Sequence, residues 1–406
     1  MWGTLHLKYP LAFTIVDRLG YALLLLLAVL VAMVYHPAII GVAKAEAVLH
    51  SIIFLVFLLL FMLSQVDKPV FSCQVTNMSW LLWGIAAFMA MLFYGFLGEA
   101  SLKSELRCVA IPLCAIMVGL QMKMDEKRIR GVILLYVIGA VLVGLLSIFI
   151  QGSGFRITEM YTVEHKNAIG PLIATASILS LGMALSASGR QKLLMMFIGF
   201  GLALLCIALV LTIRARAALL AMALVMALML FQRYRGNYIL LSLWVALVLM
   251  VVLYFFMPLS VKHYVSESLF SGFTNGDISS GRMFRNQQAL QVIAENPLLG
   301  LMVNDRSVYT AHNYPLCVLC EFGLLGAFPF LAIYLLLFFT DVKRILKEGV
   351  NNLMNVGAYP VLALFVISMF EFTYPFGPGT TTMMSFVLLG VSLQHLGSKN
   401  TGSVTI

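Results

Sequence analysis

Apolar runs long enough to cross a membrane alternate with short polar stretches along almost the whole chain. Runs near the ~20 residues that a helix needs to span a hydrocarbon core fall at 19–35, 47–64, 79–97, 108–122, 131–150, 168–186, 193–211, 217–232, 237–257, 315–340, 352–371 and 377–395. They predict an all-α integral membrane protein of about 12 transmembrane helices, because a helix satisfies its own backbone groups inside lipid. One long polar interval breaks the rhythm. It opens at Met257-Pro258, passes the turn Asn275–Gly281, and then reads Arg282–Glu295 with Met283, Phe284, Leu290 and Ile293 near helical spacing. Ser279 or Ser280 supplies a cap and Pro297 a stop, which predicts an amphipathic helix lying against the outer mouth of the bundle. The chain thus divides into 1–257 with spans one to nine, a loop at 258–314, and 315–406 with the last three spans and a short polar tail. Internal repeats and matched broken helices are not evident, which weighs against a secondary transporter.

Composition strengthens this picture. The residues are 62% hydrophobic and 11% charged, with mean hydropathy +0.99, against about 45–50% and about 25% in soluble domains. With the N-terminus inside, one side of the membrane collects fifteen basic residues and six acids, a net +9. The other side carries the remaining eleven of each sign and nets zero. The whole formal charge lies on one face, as positive-inside orientation requires. The sequence pI near 9.3 therefore implies no nucleic-acid partner, and the 258–314 loop falls on the non-cytoplasmic side. The first apolar run lacks a small-residue cleavage site, so it is expected to remain as a span. Most of the six cysteines sit in apolar runs, where thiols pack as small hydrophobes. Cys317-x-x-Cys320 is read the same way rather than as a redox pair.

Three basic sites on the outer face oppose that charge bias. Arg214 and Arg216 occupy the short turn Thr212-Ile-Arg-Ala-Arg-Ala, where binding an anion or pairing with an acid would offset their cost. Arginine suits phosphate because its planar fork stays charged and binds bidentately. Arg282, with Arg285 one turn on, offers a second cationic face, or a solvated one. The third is His312 at the mouth of an apolar helix. A neutral imidazole accepts a proton from an attacking hydroxyl, Asn313 stands next to it as an orienting group, and Gly323 and Gly326 permit close helix approach. Lys166, just before a span, is a further contact for an anionic substrate. Glu321 and Glu371 are isolated acids whose simplest role is to pair with an arginine. The chain has no Asp-x-Asp, His-Glu-x-x-His or Gly-x-Ser-x-Gly motif, so neither a metal site nor a cofactor is expected.

His312-Asn313, nine residues, then Gly323-x-x-Gly326 resembles the H-[NSQ]-x9-G-x-x-G signature of the O-antigen ligase and polymerase superfamily. Glu295-Asn-Pro-Leu-Leu-Gly300 resembles that family's ENPxxG element, and Arg216-Ala-Ala-Leu-Leu, or Arg214 beside it, its late-span arginine. The resemblance implies a glycosyltransferase of a bacterial inner membrane with a periplasmic active site. Its donor would be an undecaprenyl-pyrophosphate-linked glycan. The acceptor would be lipid A-core in a ligase, the favoured reading, or another lipid-linked repeat in a polymerase; a lipid-linked glycan flippase is the alternative of another class. By the same resemblance Arg216, with Arg214, and Arg282 would hold the pyrophosphate, while His312 positions or deprotonates the acceptor hydroxyl in a metal-independent, inverting transfer.

Overall fold

The computed structural model describes residues 10–37, 39, 42–67, 84, 89, 102–151, 166–189, 192–213, 215–234, 282–301, 311–377 and 382–400. The described elements are helical: α1 (Pro10–Met33), α2 (Ala43–Asp67), α3 (Leu102–Gln121), α4 (Glu126–Gln151), α5 (Lys166–Leu185), α6 (Lys192–Ile213), α7 (Arg216–Arg233), α8 (Arg282–Glu295), α9 (Tyr314–Glu348), α10 (Ala358–Ser368) and α11 (Met383–Asn400), with a 3-10 turn at Leu353–Asn355 before α10. Seven of these, α1, α2, α4, α5, α6, α7 and α9, are long and apolar enough to cross a membrane; three shorter apolar helices lie at Ala110–Gln121, Leu353–Ser368 and Met383–Gln394. Together they account for ten of the twelve apolar runs. Of the run at 79–97 only residues 84 and 89 are described, and the run at 237–257 lies outside the described residues. The protein is an all-α, multi-pass membrane protein.

Helix α5 is the axis of the bundle. It packs on α4, α6, α7 and α10, and every residue from Ile169 to Leu185 is buried, as expected of a helix that is apolar all round. Small residues allow this crowding, and its hydroxyls are satisfied: Thr175 Oγ1 lies 2.9 Å from the Tyr136 hydroxyl and Ser177 donates to the Ala203 carbonyl at 3.1 Å. By contrast α6 turns Leu193, Phe197 and Leu204 outward, the lipid-facing pattern. Helices α3 and α11 cross at Gly119 and Gly390. A side chain on Gly119 would collide with the Val387 carbonyl, and one on Gly390 with that of Ile116, so only glycine permits this approach.

Charged and amide side chains lock one end of the bundle. Arg344 donates to Asn355 Oδ1 at 2.6 Å and to Ser392 Oγ at 3.2 Å, Gln232 donates to the Ile345 carbonyl at 3.0 Å, and Arg233 to Asn351 at 2.7 Å. Elsewhere Arg128 forks onto Asp17, tying the starts of α4 and α1.

Two expectations about the outer segment change. The amphipathic helix forms as α8, but Met283, Phe284 and Leu290 are exposed; the face packed on α9 is Ala289 with Val292 and Ile293, around Cys317 and Cys320. Ala289 lets α8 lie close to α9, with Val292 and Ile293 partly buried beside it, while Met283, Phe284 and Leu290 face outward. The apolar run at 315–340 is not one continuous helix either. Gly323 has φ 59° and ψ −172°, so α9 breaks there.

Candidate active site

The break at Gly323 organises everything around His312. A left-handed φ with an extended ψ is open essentially to glycine alone, and it releases N–H groups from the helical ladder. Leu324 N–H donates instead to the Pro297 carbonyl at 2.8 Å and Leu325 N–H to that of Leu298 at 3.1 Å, while Leu301 N–H donates to the Cys320 carbonyl at 2.8 Å. Asn296–Leu301 thus sits in the notch. Gly300, itself at φ 67°, faces Gly323 so closely that a side chain on either would strike the other's backbone. Gly323 therefore serves as a docking notch for the Glu295–Gly300 element, beyond the close helix approach expected of it.

This clasp sets a distance. From Gly323 back to His312 is about 16 Å at 1.5 Å per residue, and from Glu295 back to Arg285 is about 15 Å. The two rods run side by side in the same chain direction, with Cys320 Sγ donating to the Ala289 carbonyl at 3.4 Å; Cys317 Sγ donates to that of Ala311 at 3.1 Å. The thiols pack and bond to backbone, which matches the packing role read for them. Equal arms from one pivot bring the α8 arginines beside His312.

There the side chains form a chain of four. Arg282 Nη2 donates to Glu371 Oε1 at 2.7 Å; Glu371 Oε2 faces His312 Nδ1 at 3.7 Å; and Arg285 Nη1 lies 2.9 Å from His312 Nε2. Glu371 is 7% exposed, His312 19% and Arg282 28%, so the carboxylate is screened from water while one side of the cluster stays open. A guanidinium has donors only. His312 Nε2 must therefore accept from Arg285, which places the ring proton on Nδ1, facing Glu371. At 3.7 Å that contact is longer than a hydrogen bond, so Glu371 faces the Nδ1 proton without closing on it. The Phe372 ring stands edge-on to the imidazole at 6.4 Å.

Asn313 works on the backbone. Its Oδ1 accepts from Leu316 N–H at 3.1 Å, capping α9, and its Nδ2 donates to the Met369 carbonyl at 3.4 Å. It thereby anchors the start of α9 to the segment that carries Glu371. The capping oxygen is the reason His312 has a fixed position at a helix mouth.

The other basic residues share this end of the bundle without joining the four. Tyr374 donates to the Asn167 carbonyl at 3.3 Å, bringing the segment after Glu371 to the start of α5, where Lys166 stands. The start of α5 in turn meets the start of α7, because Gly170 faces Ala215; Arg216, exposed, is the first residue of α7. Arg214 lies outside the described residues. Glu371 is the group that sequence reasoning underrated: its pairing with an arginine was legible from an acid beside an apolar run, its contact with His312 was not.

Residues 200–331 match the family model described as O-Antigen ligase. That match supports the resemblance to the O-antigen ligase and polymerase superfamily carried by the His312–Gly326 spacing. No curated protein matches the chain. The matched segment holds Arg216, α8, the notch and His312, and it ends before Glu371, so the acid that completes the cluster comes from outside the matched region.

Proposed function

We propose that this protein is an O-antigen ligase-type glycosyltransferase of a bacterial inner membrane, working on the periplasmic side. It transfers a glycan from undecaprenyl pyrophosphate to a sugar hydroxyl of lipid A-core. The observation that carries the reading is the Arg282–Glu371–His312–Arg285 cluster, gathered at one end of the bundle within and beside the matched segment. The basic side chains of Arg233 and Arg344 lie at the other end, in keeping with positive-inside orientation. A transporter would distribute such groups along a path through the bundle, so their collection at one end favours an enzyme.

In this mechanism the acceptor oxygen attacks the anomeric carbon, the carbon–oxygen bond to pyrophosphate breaks, and the hydroxyl proton passes to His312 Nε2. Glu371 holds the ring through Nδ1–H and stabilises the imidazolium that forms. Arg216, with Arg214 and Lys166, binds the leaving pyrophosphate, whose developing charge is best stabilised by fixed cations. Since pyrophosphate is already an activated leaving group, catalysis needs positioning and one base.

A lipopolysaccharide gel from a strain lacking the gene tests the reading. Lipid-linked polymer with unsubstituted core is the expected result; core bearing a single repeat means a polymerase, and unaltered lipopolysaccharide rejects both. Purified His312→Ala and Arg216→Ala should insert normally yet transfer glycan about 10²–10⁴-fold more slowly, the range for loss of a general base or charge stabiliser. Transfer is expected to persist in excess chelator.

A further inference from the structure

We propose that Arg285 gates His312: without donor its guanidinium occupies the nitrogen that must take the acceptor proton, and a pyrophosphate group draws it away, so the base is released only when donor is bound. The inference rests on the ligase-type reading above and adds an order of events to it.

The geometry separates the two α8 arginines. Arg282 is held by a carboxylate at 2.7 Å, and removing it would leave Glu371, 7% exposed, facing only a neutral ring. That is a costly rearrangement for a screened charge. Arg285 is exposed, and its bond at 2.9 Å is to a neutral imidazole nitrogen. Among the described residues it has no carboxylate partner. Charge in the cluster is therefore unbalanced by one: Arg282 and Glu371 cancel, His312 is neutral, and Arg285 remains. A phosphate group offers Arg285 a bidentate pair of bonds between two ionised groups, where the imidazole offers a single bond to a neutral nitrogen. The exchange favours phosphate, and each phosphate-bound Arg285 leaves Nε2 with its lone pair open toward the exposed side of the cluster. Because Nδ1 carries the proton and faces Glu371, Nε2 is the one nitrogen of this ring able to act as a base. Occupying it in the resting protein keeps the base from activating water or acceptor before there is a glycosyl donor to attack.

The test uses the purified full-length chain in detergent, with inorganic pyrophosphate as the probe and diethyl pyrocarbonate as the reagent. The reagent acylates an unoccupied imidazole lone pair, and peptide mass spectrometry reads His312 separately from the other histidines. In the unliganded wild type, His312 is expected to react slowly. Pyrophosphate should accelerate it about tenfold, the factor supplied by losing one hydrogen bond to a charged group. Arg285→Met should react at the fast rate with or without the probe. Protection of wild-type His312 by pyrophosphate, or an unchanged rate, overturns the gate, as does an Arg285→Met protein modified at the slow wild-type rate. The wild-type titration needs no variant, so a poorly folded Arg285→Met still leaves a decisive result. Failure of the function is distinguishable: an unaltered lipopolysaccharide gel with the modification pattern intact rejects the ligase assignment and keeps the gate, and the reverse combination does the opposite.

Discussion

Glu371 shows how one side chain changes the role of its neighbours. With one oxygen on Arg282 and the other facing His312 Nδ1, it favours by its charge the same ring tautomer that Arg285's donation to Nε2 requires. A neutral amide at the same position would keep the shape and lose the charge that stabilises an imidazolium. Glu371→Gln is therefore expected to lower kcat about 10²–10³-fold with little change in donor KM, within the range seen when proton-transfer groups are disabled. Steady-state kinetics on purified protein checks this; a raised KM at unchanged kcat would instead assign Glu371 to donor binding. Arg282→Ala should be more damaging to stability than Glu371→Gln, since it strands a screened carboxylate without its cation, and thermal melting in detergent ranks the two.

Among the elements, the pair formed by α8 and the first half of α9 is the unit that makes the site. Its pivot is the contact between Gly300 and Gly323, both at positive φ. Gly323→Ala would add about 1–3 kcal/mol of backbone strain and push its methyl into the backbone of Leu298 and Gly300. The expected outcome is a lowered melting temperature, loss of transfer, and faster proteolysis of the Asn296–Leu301 segment as it leaves the notch. A Gly323→Ala protein with wild-type melting and activity would show that the clasp does not hold the arginines in place. Spacing alone identified the glycines here. Their conformation was not legible, because the need for a positive φ arises from what docks in the notch and not from the helix that contains it.

Across the whole molecule, stability and chemistry sit at different places. Gly119 and Gly390 let α3 and α11 touch backbone to backbone, away from His312. Gly119→Ala is expected to cost about 1–3 kcal/mol or more through overpacking, read as a lower melting temperature, while transfer per folded molecule stays near wild type. A selective loss of kcat in that variant would mean that the α3–α11 crossing communicates with the site. The helices themselves were legible in the chain because burying an apolar run of about 20 residues in lipid leaves the backbone no alternative to a helix. His312, Asn313 and the α8 arginines were legible because polar groups at a membrane boundary are costly and close in sequence to the glycine spacing. Arg282 and Glu371 lie 89 residues apart, and no local pattern links them. The amino-acid order by itself determined an all-helical membrane protein with a histidine at a helix mouth. Tertiary structure alone decided that Glu371 reaches that histidine, that Arg285 covers its other nitrogen and that the bulky side of α8 faces outward. These choices depend on how closely two backbones approach at a pair of glycines, a distance that hydrophobic periodicity does not encode.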